Sequence, residues 1–412
     1  MDIVIVTLLL TGMFVVLIKQ WAPPDLTMFV TLSVFLLTGV ITPEEAFRGF
    51  ANTSVITIAL LFIIGYSVFK SGILISLLQQ CLNREDKQPV LLLKIMSPVA
   101  ILSGIMNNTP IVSMLTPSIT NWAGNNQVPP SKLLIPLSYA AILGGSITLY
   151  GSSTNLIIHG LLIEEGHPGF TVFEFSLIGI PLTLLGVVYV SLIGSLLLPD
   201  RTPGNQRQKA QSEVPLTKCQ TGIVFLVITI MIGSVAFHLT SLVKAALAGV
   251  IILLVTKVIR PSEARKAVNG NVLLLMASAI GIGTAIEKSG ITKLLTTAFM
   301  DLYPFIGLAG VILLLYLATM ILTEISHNIA AAVLMFPIGQ SMADLVEADP
   351  KMFAIVIAIS ASCSFITPIG YQTNVIIFEP GGYRFKDFIR AGIGLSILCA
   401  VCTVGLALFI WG

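Results

Sequence analysis

Ser103 to Pro117 reads SGIMNNTPIVSMLTP, and Thr323 to Pro337 reads TEISHNIAAAVLMFP. In each, an apolar run stops at a few small, amide or imidazole residues and then resumes: Asn107, Asn108 and Thr109 in the first, Ser326, His327 and Asn328 in the second. Lipid offers backbone N–H and C=O groups no water to bond, so an interruption at membrane depth must be buried in protein or line a wet cavity. Both stretches therefore predict the tips of re-entrant helical hairpins that hold a polar ligand.

The composition sets the same frame. Of 412 residues, 55% are hydrophobic and only 10% are charged, against roughly 25% charged in soluble domains. The chain reads as an all-α polytopic membrane protein, with about ten net crossings besides the two hairpins. About 17 of the 22 Lys and Arg, among them Lys19, Lys70, Lys132, Arg201, Arg260, Arg265, Lys266 and Arg384, then fall on one face. The other face keeps Arg48, Lys244, Lys288, Lys293 and Lys351 among acids such as Glu44, Glu45, Glu164 and Glu165. The positive-inside rule makes the first face cytoplasmic and places both termini outside, in the cell membrane. No basic stripe for nucleic acid is present, and the first residues, MDIVIV, lack the basic start of a cleavable signal. Cys399 and Cys402 form a CxxC inside an apolar helix with no His nearby, which reads as packing.

Compared with itself, the chain repeats at a displacement of about 218 to 220 residues. Pro43, Glu45 and Ala46 match Pro261, Glu263 and Ala264, and Lys70-Ser71-Gly72-Ile73 matches Lys288-Ser289-Gly290-Ile291. Asn108 pairs with Asn328, Pro117 with Pro337, Gly151 with Gly370, and Thr154-Asn155 with Thr373-Asn374. The matches fall on polar, Gly and Pro punctuation rather than on interchangeable apolar residues. The first repeat is expected over 1–198, with scaffold spans 1–82, hairpin 89–122, broken helix 132–163 and span 173–198. A polar linker, 199–216, follows, and the second repeat covers 217–412, with scaffold spans 217–300, hairpin 304–342, broken helix 352–379 and span 388–411. The segment 71–82 reads as amphipathic and interfacial. Five crossings per repeat send the second copy through the bilayer in the opposite sense, the inverted repeat of secondary transporters, whose ligands bind at the midplane.

Two hairpin tips and two interrupted spans thus supply uncharged dipoles: NNT, GSSTN, SHN and GYQTN. Half-helices that start after Asn108 and Asn328 present free N–H groups and about half a positive charge each, which suits an anion. Carbonyls freed at Gly151 to Thr154 and at Ile369 to Gln372 suit a small hard cation. The candidate anion-binding residues are Asn107, Asn108, Thr109, Ser153, Thr154, Asn155, His327, Asn328, Gln372, Thr373 and Asn374. Ser103 and Thr323 stand one helical turn before the tips and aim at the same place. Glu324 reads either as a proton or cation site or as a carboxylate capping freed amides, and His327 either as a substrate reader or as a hydrogen-bonded tip residue. His159 and His238 lack partners at metal spacing and read as structural.

Leu322-Thr323-Glu324 with Ser326-His327-Asn328 resembles the second hairpin of the divalent-anion:sodium symporter family, in the ion transporter superfamily, whose tips carry a Ser-Asn-Thr signature. Asn107-Asn108-Thr109 resembles the first copy. The stretch from Pro368 to Asn374, followed by Pro380-Gly381-Gly382-Tyr383-Arg384-Phe385, is similar to the sulfate-type permease branch. The resemblance implies an elevator transporter: a homodimer with a fixed scaffold, in which hairpins and broken helices carry substrate and Na⁺ across. It implies one sodium site from Ser103, Asn107, Asn108 and Gly151, and a second from Thr323, Ser326, Asn328 and Gly370. Asn107 and His327 stand where the signature has serines, Ile329 where it has its last threonine, and Ser153-Thr154 where prolines are usual. Larger donors at a tip shrink the cavity and favour a compact tetrahedral oxyanion.

The expected function is Na⁺-coupled symport of a divalent anion, sulfate ahead of a dicarboxylate. The alternative keeps the fold but uses protons for coupling, or exports an oxyanion. An enzyme is not expected, because no HExxH or GxSxG motif is present.

Overall fold

The computed structural model describes residues 2–19, 21–72, 76, 82–83, 85–201, 216–237, 239–292, 297 and 303–412. Much of the interfacial segment expected over 71–82, most of the linker 199–216, and His238 lie outside those residues. Among the described residues every regular element is helical.

The chain begins with α1 (Asp2–Lys19), then α2 (Pro24–Leu37), which Pro23 and Pro24 start where a missing N–H costs nothing. The short α3 (Pro43–Phe47) is fixed by a Thr42/Glu45 capping box, and Asn52 caps α4 (Thr53–Lys70) by accepting from the Ser54 amide at 2.7 Å. Two helices, α5 (Gln88–Ser103) and α6 (Asn108–Asn125), form the first hairpin. Next come α7 (Leu134–Gly145), α8 (Ser153–Glu164) and α9 (Ser176–Tyr189), the last continuing through a π-helical turn at Val190–Gly194. The second half follows with α10 (Lys218–Ala236), α11 (Leu242–Val255), α12 (Pro261–Ala267) and α13 (Gly270–Ser289). Its hairpin is α14 (Tyr303–Ile325) and α15 (Asn328–Leu345), and α16 (Pro350–Ser362), α17 (Gln372–Phe378) and α18 (Phe385–Trp411) close the chain.

Six described helical stretches are long and apolar enough to cross a membrane: Pro43–Lys70, Ser176–Leu197, Lys218–Ala236, Gly270–Ser289, Tyr303–Ile325 and Phe385–Trp411. The third, fifth and sixth are the least buried, with Leu226, Ile230, Ile321, Ile397 and Val401 exposed. Such faces need lipid around them. In contrast α7 is buried along its whole length, and α15 and α16 nearly so. Of these, α15 and α16 pack on each other, and α7 packs on α5 and α9.

The repeat is visible in the packing. Shifted by 218, the bounds of α2 become those of α11, and the range of α4 falls inside α13. In space α2 packs on α13 while α11 packs on α4, so each half's helix rests on its counterpart's neighbour. The ion pairs cross over in the same way. Lys70 Nζ sits 2.8 Å from Glu263, and Lys288 Nζ 2.5 Å from Glu45, which is Glu263's repeat partner. One copy thus completes the other, as two interlocked units related by a pseudo-two-fold axis would.

Candidate functional site

Each hairpin turns in very few residues. Asn107 accepts from the Thr109 amide at 3.4 Å and so starts α6; His327 Nδ1 accepts from the Ile329 amide at 3.4 Å and starts α15. The broken spans differ from expectation in register. Their unwound stretches are 146–152 and 363–371, so Ser153, Thr154 and Asn155 form the first turn of α8, and Gln372, Thr373 and Asn374 the first turn of α17. Short polar side chains cap a helix start better than they fill an unwound strand, and Ser152 does so by accepting from the Thr154 amide at 3.3 Å.

Hydrogen bonds tie the four breaks to one another across the repeat boundary. Thr109 Oγ1 donates to Gln372 at 3.1 Å, and Asn328 Nδ2 donates to Thr154 Oγ1 at 2.9 Å. Asn108, oriented to satisfy its neighbours, donates to Gly151 O at 3.1 Å and Ala141 O at 3.0 Å and accepts from Tyr371 Oη at 2.6 Å. Ser138 in α7 lies within 2.8 Å of both Thr373 Oγ1 and Asn374 Oδ1.

The two broken spans are built alike. Asn155 Nδ2 donates to Gly145 O at 3.0 Å and Thr148 O at 2.9 Å, and Asn374 Nδ2 to Ser364 O at 3.0 Å and Thr367 O at 3.2 Å, all repeat partners. Gly151 leaves no room for a side chain: a Cβ would lie 2.6 Å from Gly145 O and 2.8 Å from Ser103 O. At Gly370 a Cβ would meet Ser364 Oγ and lie 2.7 Å from Thr323 O. Oxygens therefore crowd each glycine, two carbonyls at Gly151 and a hydroxyl with one carbonyl at Gly370, the kind of donor a hard cation takes.

One difference between the copies explains Glu324. Its repeat partner is Gly104, and both backbone carbonyls accept from a threonine, Gly104 O from Thr148 and Glu324 O from Thr367 at 2.9 Å. The Glu324 carboxylate then accepts three backbone amides of the second break, Phe365 and Ile366 at 2.9 Å and Thr367 at 2.8 Å. Of its two sequence readings, the geometry is that of the capping carboxylate. His159 is likewise structural, its Nδ1 accepting from Phe170 N at 2.9 Å.

Between the tips and the segment 266–272 lies a cavity of about 430 Å³. Of the residues singled out in the sequence, Asn107, Thr109, Ser153, His327, Asn328 and Gln372 line it. Asn108, Thr154, Asn155, Thr373 and Asn374 do not; each is at most 1% exposed and serves the frame behind the wall. Ser103 and Thr323 are equally buried, Ser103 donating to Ala141 O at 2.7 Å, whereas Thr323 Oγ1 has no hydrogen-bond partner. Ser326 spends its proton on Leu322 O at 2.7 Å and faces an adjoining space of about 490 Å³. Sequence reasoning missed Tyr371, Lys266, Asn269 and Asn271 in the wall. Tyr371 was within reach, since it is the repeat partner of the capping Ser152 inside a motif already marked.

A family model described as citrate transporter matches residues 13–358. The uncharacterized transporter sll0640 of Synechocystis sp. is 25% identical over 97% of this chain and 95% of its own length. Sodium/sulfate cotransporter 1 of Chlamydomonas reinhardtii is 36% identical over 45% of this chain and 22% of its own length. Among solved structures, the Alcanivorax borkumensis YdaH transporter is similar with a TM-score of 0.65 at 15% identity, over 91% of this chain and 87% of that one, a likeness of fold.

Proposed function

This chain belongs to the citrate transporter family, and from that premise we propose that it carries a divalent anion across the cell membrane together with Na⁺, sulfate ahead of a dicarboxylate. The observation that carries the reading is the meeting of half-helix starts at one cavity. The N-termini of α6, α8 and α15 arrive there with uncharged caps, and Asp and Glu are absent from the cavity wall among the described residues. Free N–H groups with the positive ends of helix dipoles favour an anion. Such a site replaces a solute's hydration with fixed dipoles and needs no counter-charge that would hold it too tightly.

Na⁺ is the co-substrate this frame suits. Oxygens crowd Gly151 and Gly370, and the buried, unpartnered Thr323 hydroxyl is an oxygen ligand left over. Proton coupling through Glu324 is the weaker alternative, because a protonated carboxyl would give up its hold on the three amides of the break. In the elevator reading, the hairpins with α7, α8, α16 and α17 move as one body against α2, α4, α11 and α13 in a homodimer whose termini lie outside.

The test is uptake by the purified chain in liposomes, with labelled sulfate, succinate and citrate offered under imposed Na⁺ or pH gradients. Sulfate uptake that requires the Na⁺ gradient is expected. Uptake indifferent to Na⁺ but driven by the pH gradient would replace this reading with the proton-coupled one.

A further inference from the structure

Lys266 is the sole charged side chain in the wall of the 430 Å³ cavity among the described residues; Asp25 lines the adjoining space instead. It lies in the last turn of α12, exposed, and takes part in none of the ion pairs among the described residues. Its neighbour Glu263 is already engaged by Lys70. On the basic face of the molecule, a free lysine would need no explanation beyond the charge asymmetry of membrane proteins.

Its repeat partner does need one. Shifted by 218, Lys266 becomes Arg48, in the matching short turn before α4. Arg48 is also exposed and without an ion pair among the described residues, yet the distribution of charge along the sequence assigns it to the opposite, acid-bearing face. That face keeps few bases, Lys244 among them, and the charge rule gives no reason for one at this position. What the two positions share is their place beside the start of a repeat-related helix, α13 or α4.

Those two places are in different states. Beside Lys266, the α13 start faces the open cavity. Beside Arg48, the α4 start is closed: Asn52 Nδ2 bonds Glu164 at 2.5 Å, and Gly160 is pressed so close to Ser54 that a Cβ would lie 2.5 Å from its Oγ. An inverted repeat that exchanges these states opens a matching cavity beside Arg48.

We propose that Lys266 and Arg48 form one selectivity device, each supplying the cation that captures a divalent anion at the cavity mouth when that mouth faces its own side of the membrane. The inference rests on the anion-transport reading above. A cation at the rim of a low-dielectric, otherwise uncharged cleft focuses its field into it and raises the local anion concentration. A divalent anion gains twice what a monovalent one does. At the rim rather than at the midplane, the cation attracts the anion without trapping it.

The experiment measures anion KM separately from each face, in right-side-out and inside-out membrane vesicles bearing the full chain. Lys266→Gln is expected to raise KM for the divalent anion about 5- to 20-fold from one face only, and Arg48→Gln from the other face only. Both losses should shrink as salt is raised. Lys266→Arg and Arg48→Lys should restore the wild-type KM, which shows that charge and not shape is needed. Wild-type KM from both faces in the two glutamine variants, with transport intact, would overturn the device and leave the transport reading standing. Equal KM increases from both faces in each variant would overturn it too. Failure of the wild-type chain to move any of the anions would bring down the transport reading, and this inference with it.

Discussion

Gly370 and Glu324 show how single residues decide the second break. Gly370 brings the backbone against Thr323 O where a methyl group cannot fit, while Gly405 in α18 has open space around it. Gly370→Ala is expected to abolish transport and lower thermal stability, and Gly405→Ala to leave both near wild type; scanning fluorimetry of the detergent-purified variants, with liposome uptake, checks this. Glu324→Gln keeps the shape but turns an acceptor into a donor that faces backbone amides. It should cost about 1–3 kcal/mol of stability, and a melting curve indistinguishable from wild type would remove the capping role. Because Gly104 stands at the matching place in the first repeat, the same change has no counterpart there, and only the second break should loosen.

The short helices between spans act as clips between the two copies. Partial burial pulls the Glu263 carboxyl up, but its bonds to the Arg260 amide and to Lys70 outweigh that and hold it below the ordinary carboxylate range. A depressed folded-state pKa contributes stability that is present above the unfolded value and is lost as pH falls through the folded one. Glu263→Gln should therefore lower the melting temperature at pH 7, and the gap to wild type should close as the pH falls through the carboxylate range. Melting curves taken between pH 7 and 4 measure it. With side chains 13% and 24% exposed, the Lys70–Glu263 pair is better shielded than Lys288–Glu45 at 47% and 28%, so the loss should be the larger of the two.

At the scale of the whole molecule, the start of α13 faces an open cavity, whereas its repeat counterpart, the start of α4, is packed against Glu164 and Gly160. Single cysteines at Ser153 and Gln372, in a chain whose native cysteines are replaced, should react with a membrane-impermeant thiol reagent from one face, since both line the cavity. A cysteine at Thr373, fully buried, should stay protected. Substrate should slow labelling at the first two positions. Loss of the Asn52 to Glu164 bond, through Asn52→Ala, should shift labelling of Ser153→Cys toward the opposite face, because that bond holds the other side shut. Labelling from one face unchanged by this substitution would show that the closure resides elsewhere.

Much of this was legible along the chain. Apolar runs interrupted by Asn107-Asn108-Thr109 and Ser326-His327-Asn328 determined the hairpins, and matched punctuation such as Gly151 with Gly370 determined that one unit occurs twice. Both follow from local rules: lipid forbids unpaired backbone, and a repeat copies its caps. The division of labour among the polar residues was not legible. Whether an asparagine lines the wall, as Asn107 does, or braces the frame behind it, as Asn108 does, depends on contacts with residues some 260 positions away, such as Tyr371. The same holds for Lys266: its sequence shows one more base on a basic face, and only the packing of α13 against the tips makes it the charge at the mouth of the cavity. Chain order sets which dipoles exist; the folding of one copy against the other sets where they point.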